Sequence, residues 1–330
     1  MTKESAVAPK IVEKKRGLLS FLPKGSGLIW VLAGLCVVAA LLSSAFLNPA
    51  NITNVLRQVA LFGIVSVGMT FVILTKGIDL SIGSILGVCA VTTALMLTTG
   101  WPIPVVIIAV LIAGAVMGAI NGLGITLGGV PPFIMTLGMM VMGRGLAMTI
   151  ANGQPIGLRE KSAEFMWLGR GFWLGLPVPV WIFILVSLIA IFVLRYTSYG
   201  RQVYAVGSNE EAARLSGINV KRIIFSVYVI SGLLASLTAL IFVSRLTVGE
   251  PTAGTGIELE AIAITVIGGT SLFGGEGGII GTMIGAAILA VLANIMNLVG
   301  VSPFTQQIVK GAIIVGAVLY EMQRKRRKSS

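Results

Sequence analysis

Apolar runs occupy 28–47, 54–75, 78–98, 104–127, 131–151, 179–195, 223–245, 257–269, 277–299 and 303–321, leaving little chain for anything else. About 20 apolar residues let a helix span a bilayer's hydrocarbon core. Backbone polar groups at that depth must be satisfied internally, which helices do. The expected fold is an all-α integral membrane protein with about ten transmembrane helices, although 78–98 and 257–281 leave eight or nine open. Only 11% of the 330 residues are charged, against about 25% in a soluble domain. Such a chain cannot coat a water-exposed surface.

Charge sets the expected topology. The net charge is +12, concentrated in three places. Lys3, Lys10, Lys14, Lys15, Arg16 and Lys24 lie in an N-terminal tail, 1–27. Arg324, Lys325, Arg326, Arg327 and Lys328 lie in a C-terminal tail, 322–330. Arg195, Arg201, Arg214, Lys221 and Arg222 surround a middle loop, 196–222. Basic loops stay on the cytoplasmic side, so both termini and the middle loop of the 28–321 membrane domain are expected there. Ten crossings satisfy that condition. Basic tails at anionic headgroups also account for the charge without a nucleic-acid partner. The run at 28–47 exceeds the roughly 7–15 apolar residues of a signal peptide and is read as an uncleaved first span. Cys36 and Cys89 fall in apolar runs as small hydrophobes, and the chain has no histidine. No metal site and no catalytic residue is expected.

Between the runs lie the polar motifs. Ser208-Asn209-Glu210-Glu211-Ala212-Ala213-Arg214-Leu215-Ser216-Gly217-Ile218-Asn219 is polar and predicted helical. Residues 76–84 form a turn in which Asp79 is placed as an N-cap; Asp79 and Ser81 are also candidates for a gate. Arg159, Glu160, Lys161, Glu164 and Arg170 leave the external loop 152–176 nearly neutral; it is either a seat for a soluble binding protein or a solvated loop. Thr255 and Glu258 have capping-box spacing. The helix they open reaches Gly268 and Gly269 too soon to span. Gly274 and Gly275 continue this glycine run, expected at membrane depth, buried or lining a wet cavity; with Gly268 and Gly269 they are further gate or turn candidates. No Gly-Lys-Ser/Thr follows, so it is not a phosphate loop. Val130-Pro131-Pro132-Phe133 and Val301-Ser302-Pro303-Phe304 open the fifth and tenth runs, after Asn121-Gly122 and Asn297 respectively. Spans five places apart run in opposite directions, which suggests an inverted five-plus-five repeat.

Three functional classes compete: an ATP-coupled importer subunit, an ion-coupled secondary carrier, and a channel or enzyme. Ion coupling usually leaves intramembrane carboxylates, yet Asp79, Glu250, Glu258, Glu260 and Glu276 are all placed at span ends or loops. Arg144 and Lys310 lie within spans, as snorkelling or paired cations or as pathway lining. With no nucleotide-binding loop, any ATP hydrolysis falls to a partner. No nucleophile or metal cluster supports an enzyme.

Glu211-Ala212-Ala213, three residues, then Gly217 resembles the EAA-x3-G loop of ABC importer permeases. Residues 200–209, Gly77-Ile78-Asp79-Leu80-Ser81, Pro251-Thr252-Ala253-Gly254-Thr255-Gly256 and Gly268-Gly269-Thr270-Ser271-Leu272 are similar to the branched permease family that serves ribose-type sugar importers. The matches cover nearly the whole membrane region in family order. The resemblance implies a permease dimer in a prokaryotic plasma membrane, with cytoplasmic ATPase subunits, separate or fused, that hold ATP and magnesium. It also implies a periplasmic or extracellular binding protein delivering a monosaccharide, and no cofactor on this chain. Glu211, Ala212, Ala213, Arg214 and Gly217 become the coupling element. Ala212 and Ala213 permit close approach to the ATPase, Glu211 pairs with a partner base or caps its own helix, and Gly217 ends the helix. Thr70, Asn121, Thr136, Asn294, Asn297, Gln306 and Gln307 are candidates to line a sugar path, or to make interhelical hydrogen bonds. A proton-linked sugar carrier and an ABC permease for a nucleoside or branched-chain amino acid are the alternatives.

Overall fold

The computed structural model describes residues 26–158 and 163–329. The basic residues up to Lys24, and Arg159, Glu160 and Lys161, lie outside the described residues. The main helices are α1 (Ser26–Leu42), α2 (Pro49–Leu74), α3 (Ile82–Thr98), α4 (Ile103–Thr126), α5 (Pro132–Ile150) and α6 (Ala163–Arg170). They continue with α7 (Val178–Tyr196), α8 (Ser198–Ser208), α9 (Glu210–Leu215), α10 (Val220–Leu246), α11 (Ile257–Ile267), α12 (Ile279–Leu298) and α13 (Pro303–Ser329). Among the described residues six helices are long and apolar enough to cross a membrane: α2, α4, α5, α7, α10 and α12. α1 and α3 are apolar but shorter. α13 runs on as helix through the segment read from sequence as a separate C-terminal tail.

Local chemistry opens these helices. Asn48 accepts a hydrogen bond from the Ala50 N–H (2.9 Å) in front of α2. α2, α4, α5 and α7 each carry proline in the first turn, where its missing N–H costs nothing. After α5, Ile156–Gly157 (β1) pairs with Val248–Gly249 (β4) in antiparallel register. A small hairpin, Phe172–Trp173 (β2) with Leu176–Pro177 (β3), leads into α7.

α10 is the central helix, packed on α2, α3 and α4. It runs antiparallel to α2. At one end Arg57 and Arg245 meet on Arg170, whose carbonyl accepts from Arg57 Nη2 (3.0 Å) and whose Nε donates to the Arg245 carbonyl (2.8 Å). Further along, Gly68 faces Ser231 and Gly77 faces the Tyr228 hydroxyl. Against α4, the glycines at 114, 118 and 122 turn one stripe toward Gly232, Tyr228 and Phe225. A Cβ on Gly118 would sit 2.2 Å from the Tyr228 carbonyl oxygen. Small residues on one face let backbones approach in this way.

The stretches 49–133 and 220–304 share more than the Pro-Phe pairs. α2 and α10 are similarly long (26 and 27 residues). Each ends in a non-glycine residue of left-handed conformation, Lys76 (φ 64°) and Thr247 (φ 61°). Three residues on, Asp79 accepts from the N–H and hydroxyl of Ser81, and Glu250 accepts from the N–H and hydroxyl of Thr252. Gly83 and Gly254 follow at the same spacing and lie back to back. Gly129 and Gly300, both of positive φ, precede α5 and α13 at that spacing again.

Candidate coupling surface and buried polar core

The α8–α9 segment is built by local signals. The Thr197 hydroxyl accepts from the Gly200 N–H (3.2 Å) to start α8. Asn209 is extended and breaks the helix, so the polar stretch is two helices meeting at 209. Its Oδ1 accepts from the Ala212 N–H (3.0 Å) and caps α9. Gly217, at φ 81°, ends α9: its N–H bonds the Arg214 carbonyl and the Ile218 N–H bonds that of Ala213. This pair of bonds with glycine in the left-handed region is a Schellman stop.

The faces of α9 differ from expectation at one position. Ala213 is buried (4% exposed) in a cluster with Val203, Val206 and Val220. Its small size seats α9 on the protein's own bundle; only Ala212 of the two alanines is exposed. Glu211 holds Arg214 of its own helix, with Oε1 2.5 Å from Nη2 and Oε2 3.1 Å from Nε, both side chains about two-thirds exposed. Leu215, which sequence reading passed over, is 75% exposed beside them. The outward face is therefore an ion pair beside an apolar knob.

α8 is docked on the end of α2 and on the glycine run. A Cβ on Gly207 would fall 1.7 Å from the Leu74 carbonyl oxygen and 2.6 Å from the Gly275 nitrogen. The Gly275 N–H bonds the same Leu74 carbonyl (3.0 Å). Lys76 Nζ donates to the Ser208 carbonyl (3.4 Å) and the Tyr204 hydroxyl to that of Gly277 (2.9 Å). Burial raises the Tyr204 phenol above its usual range, so it is a hydroxyl donor at neutral pH. Gly274 and Gly275, both of positive φ, allow this close fit. Gly268 crosses Gly281 of α12 at backbone distance. The glycine run, expected to be buried or to line a wet cavity, meets the end of α2 and α8, and its Gly268, Gly277 and Gly278 line a cavity. Its glycines are needed by backbone contact between elements.

Irregular backbone also runs through 75–81, directly after α2. Asp79, placed by the sequence at a span end, is fully buried. Its Oδ1 accepts from the Ser81 N–H (2.9 Å) and hydroxyl (2.6 Å), and its Oδ2 from the Ser231 hydroxyl (2.7 Å). Ser231 lies about 16 Å along α10 at ~1.5 Å per residue. Asp79 does take a backbone N–H at the start of α3, but the N-cap position is Ser81, whose side chain caps nothing. The Asn121 amide donates to the Ser81 hydroxyl (2.8 Å), leaving Asn121 Oδ1 and the Tyr228 hydroxyl buried without partners among the described residues. A second correction concerns 255–258. The N-cap of α11 is Gly256, whose N–H donates to Glu258 Oε1 (3.1 Å), while the Thr255 hydroxyl turns back to the Thr252 carbonyl (2.7 Å). The left-handed φ of Gly256 (84°) displaces the expected box by one residue. Arg144 donates to the Pro251 (2.7 Å) and Ala253 (2.9 Å) carbonyls, and Lys310 pairs with Glu260.

Of the path candidates, Thr70 bonds Thr282 (2.7 Å), Thr136 the Ile78 carbonyl (3.2 Å), Asn294 Asn51 (2.7 Å), and Gln306 Asn297 (2.7 Å). Their polar groups, like that of Asn121, join helices to one another. Gln307 is exposed. None of the seven lines a described cavity. One cavity, about 400 Å³, lies between α2, α10 and the start of α11, at the end opposite α9. Another, about 920 Å³, is lined by α1, α7, Tyr204 of α8, Gly268, Gly277 and Gly278 of the glycine run, and α12. The glycine run hinted at the second; the first, assembled from distant segments, had no signal in the sequence.

The family described as branched-chain amino acid transport system / permease component matches residues 51–318. The chain is 47% identical to the ribose import permease protein RbsC of Escherichia coli strain K12, covering 88% of this chain and 91% of that protein. It is equally identical to the Bacillus subtilis strain 168 protein of that name, covering 88% and 90%. To the xylose transport system permease protein XylH of E. coli strain K12 it is 37% identical, covering 86% and 87%. No solved structure matches the chain.

Proposed function

The chain belongs to the permease family of branched-chain amino acid transport systems, and from that premise we propose that it imports a monosaccharide as the membrane subunit of an ATP-binding cassette importer. It is a multi-pass protein of the bacterial inner membrane, and its matched relatives are ribose and xylose permeases. A ribose-like pentose or a hexose is the cargo in this reading. An extracytoplasmic binding protein delivers it, and ATP is hydrolysed on a cytoplasmic partner.

The observation that carries the reading is α9. A capped helix of six residues is seated by a buried alanine and turns an ion pair and Leu215 outward. Such a helix fits a groove of an ATPase. Because α8 locks onto α2 and the 268–278 turn by backbone contacts, displacement of α9 moves helix ends as a rigid unit. Ten membrane segments in two inverted halves, both termini cytoplasmic, and a homodimer complete the arrangement. The matched turns at Asp79 and Glu250 and the antiparallel α2 and α10 support the inverted halves. Six long helices, two shorter apolar ones, the short α11 and α13 supply ten segments.

Reconstituted with its ATPase in proteoliposomes, the permease should take up ribose only with ATP and a loaded binding protein. Uptake by the permease alone, abolished by collapsing the proton gradient, would overturn the reading in favour of a proton-linked carrier.

A further inference from the structure

The 400 Å³ cavity at the end opposite α9 has the makings of a ligand site. Its walls include Gln58, Phe62, Phe242, Arg245, Thr255 and Glu260, drawn from α2, α10 and the start of α11. Three arginines gather at this end, and two are tied down. Arg57 lies over the Phe172 ring (5.1 Å) and donates to the Arg170 carbonyl. Arg170 donates to the Arg245 carbonyl. The Arg245 guanidinium is half-buried, lines the cavity, and has no acceptor among the described residues. The Gln58 amide also has no partner among them. Glu260 is mostly buried (14% exposed), with Oε1 engaged by Lys310 and Oε2 free of any described partner.

Polar side chains that face a cavity without a protein partner are free to bond a ligand there. An apolar ligand would leave Arg245 and Gln58 unsatisfied. A cation would meet Arg245, with Arg57 and Arg170 close by, and the Glu260 charge is already balanced by Lys310. A neutral ring bearing hydroxyls suits the whole wall: donors at Arg245 and Gln58, an acceptor at Glu260, and aromatic surface at Phe62 and Phe242 for its C–H face. The volume is at the small end of ligand pockets, roughly 300–1,000 Å³, which suits one ring and not a chain of them.

Resting on the import reading above, we propose that this cavity is the outer sugar subsite. A monosaccharide leaving the binding protein is held there before it crosses, with Arg245 and Gln58 donating to its hydroxyls and Glu260 accepting.

The test begins with ATP-dependent uptake of ribose and xylose by the reconstituted wild-type complex, each from preloaded binding protein. Without such uptake the import reading falls and the subsite with it. With it, Arg245→Gln and Gln58→Leu should each shift the ribose-to-xylose uptake ratio about tenfold, whereas a merely structural defect slows both sugars alike. In parallel, Thr255→Cys is labelled with a membrane-impermeant maleimide, the parent chain serving as baseline. Excess ribose should slow labelling several-fold. An unchanged ratio in both variants, or labelling indifferent to ribose, overturns the proposal.

Discussion

Gly207 of α8 faces the carbonyl oxygen of Leu74, the last residue of α2, so closely that a Cβ would lie 1.7 Å from it. The atom met is backbone and cannot swing aside. Gly207→Val should therefore lift α8 off the end of α2. In proteoliposomes sugar moved per ATP hydrolysed should fall at least tenfold with the ATPase still bound. An unaltered ratio would mean that α8 does not transmit movement to α2.

The two sides of α9 should respond differently to substitution. Ala213→Leu overfills the contact with Val203, Val206 and Val220 and should cost about 1–3 kcal/mol, seen as a lower melting temperature in detergent. Leu215→Glu, on the exposed face, should leave stability within about 0.5 kcal/mol yet abolish co-purification with the ATPase. Retained ATPase binding by Leu215→Glu would place the contact elsewhere.

Asp79 is the anchor of the 75–81 turn. Asp79→Ala orphans the Ser81 N–H and the hydroxyls of Ser81 and Ser231, at about 1–3 kcal/mol for a buried group left unsatisfied. Asp79→Asn keeps an acceptor toward Ser81 and should lose less. Thermal unfolding of the two variants gives the order, and equal loss would count against a hydrogen-bonding role.

The positive φ of Gly217 (81°) is required by the stop of α9. Gly217→Ala places a side chain in left-handed backbone, costing about 1–2 kcal/mol. Hydrogen exchange at the α9 amides should quicken ~10-fold, with α10 unchanged. Uniform protection across 210–218 would show the strain to be absorbed locally.

Much of this was legible because it is local. Apolar runs announce helices wherever they are long enough, and Asn209 and Gly217 begin and end α9 through bonds within a few residues. The motif order placed the chain in its family for the same reason. What packs on a residue was not legible: Ala213 turned inward, Gly207 and Gly275 met the backbone of α2, and Asp79 reached Ser231 on α10. The path candidates were chosen as polar residues in apolar runs, a pattern shared equally by residues that join helices.

From sequence alone came the membrane fold, the basic segments, the capped polar helix and the kinship with sugar permeases. All follow from chemistry within a turn or two of the chain. Tertiary structure decided which faces meet: Asp79 finds Ser231 across 152 positions, and Arg245 is left without an acceptor while Arg57 beside it is tied to Arg170. Helix rotation and crossing set those partners, through close backbone approach at glycines such as Gly118 and Gly207, and no short window of sequence carries that information.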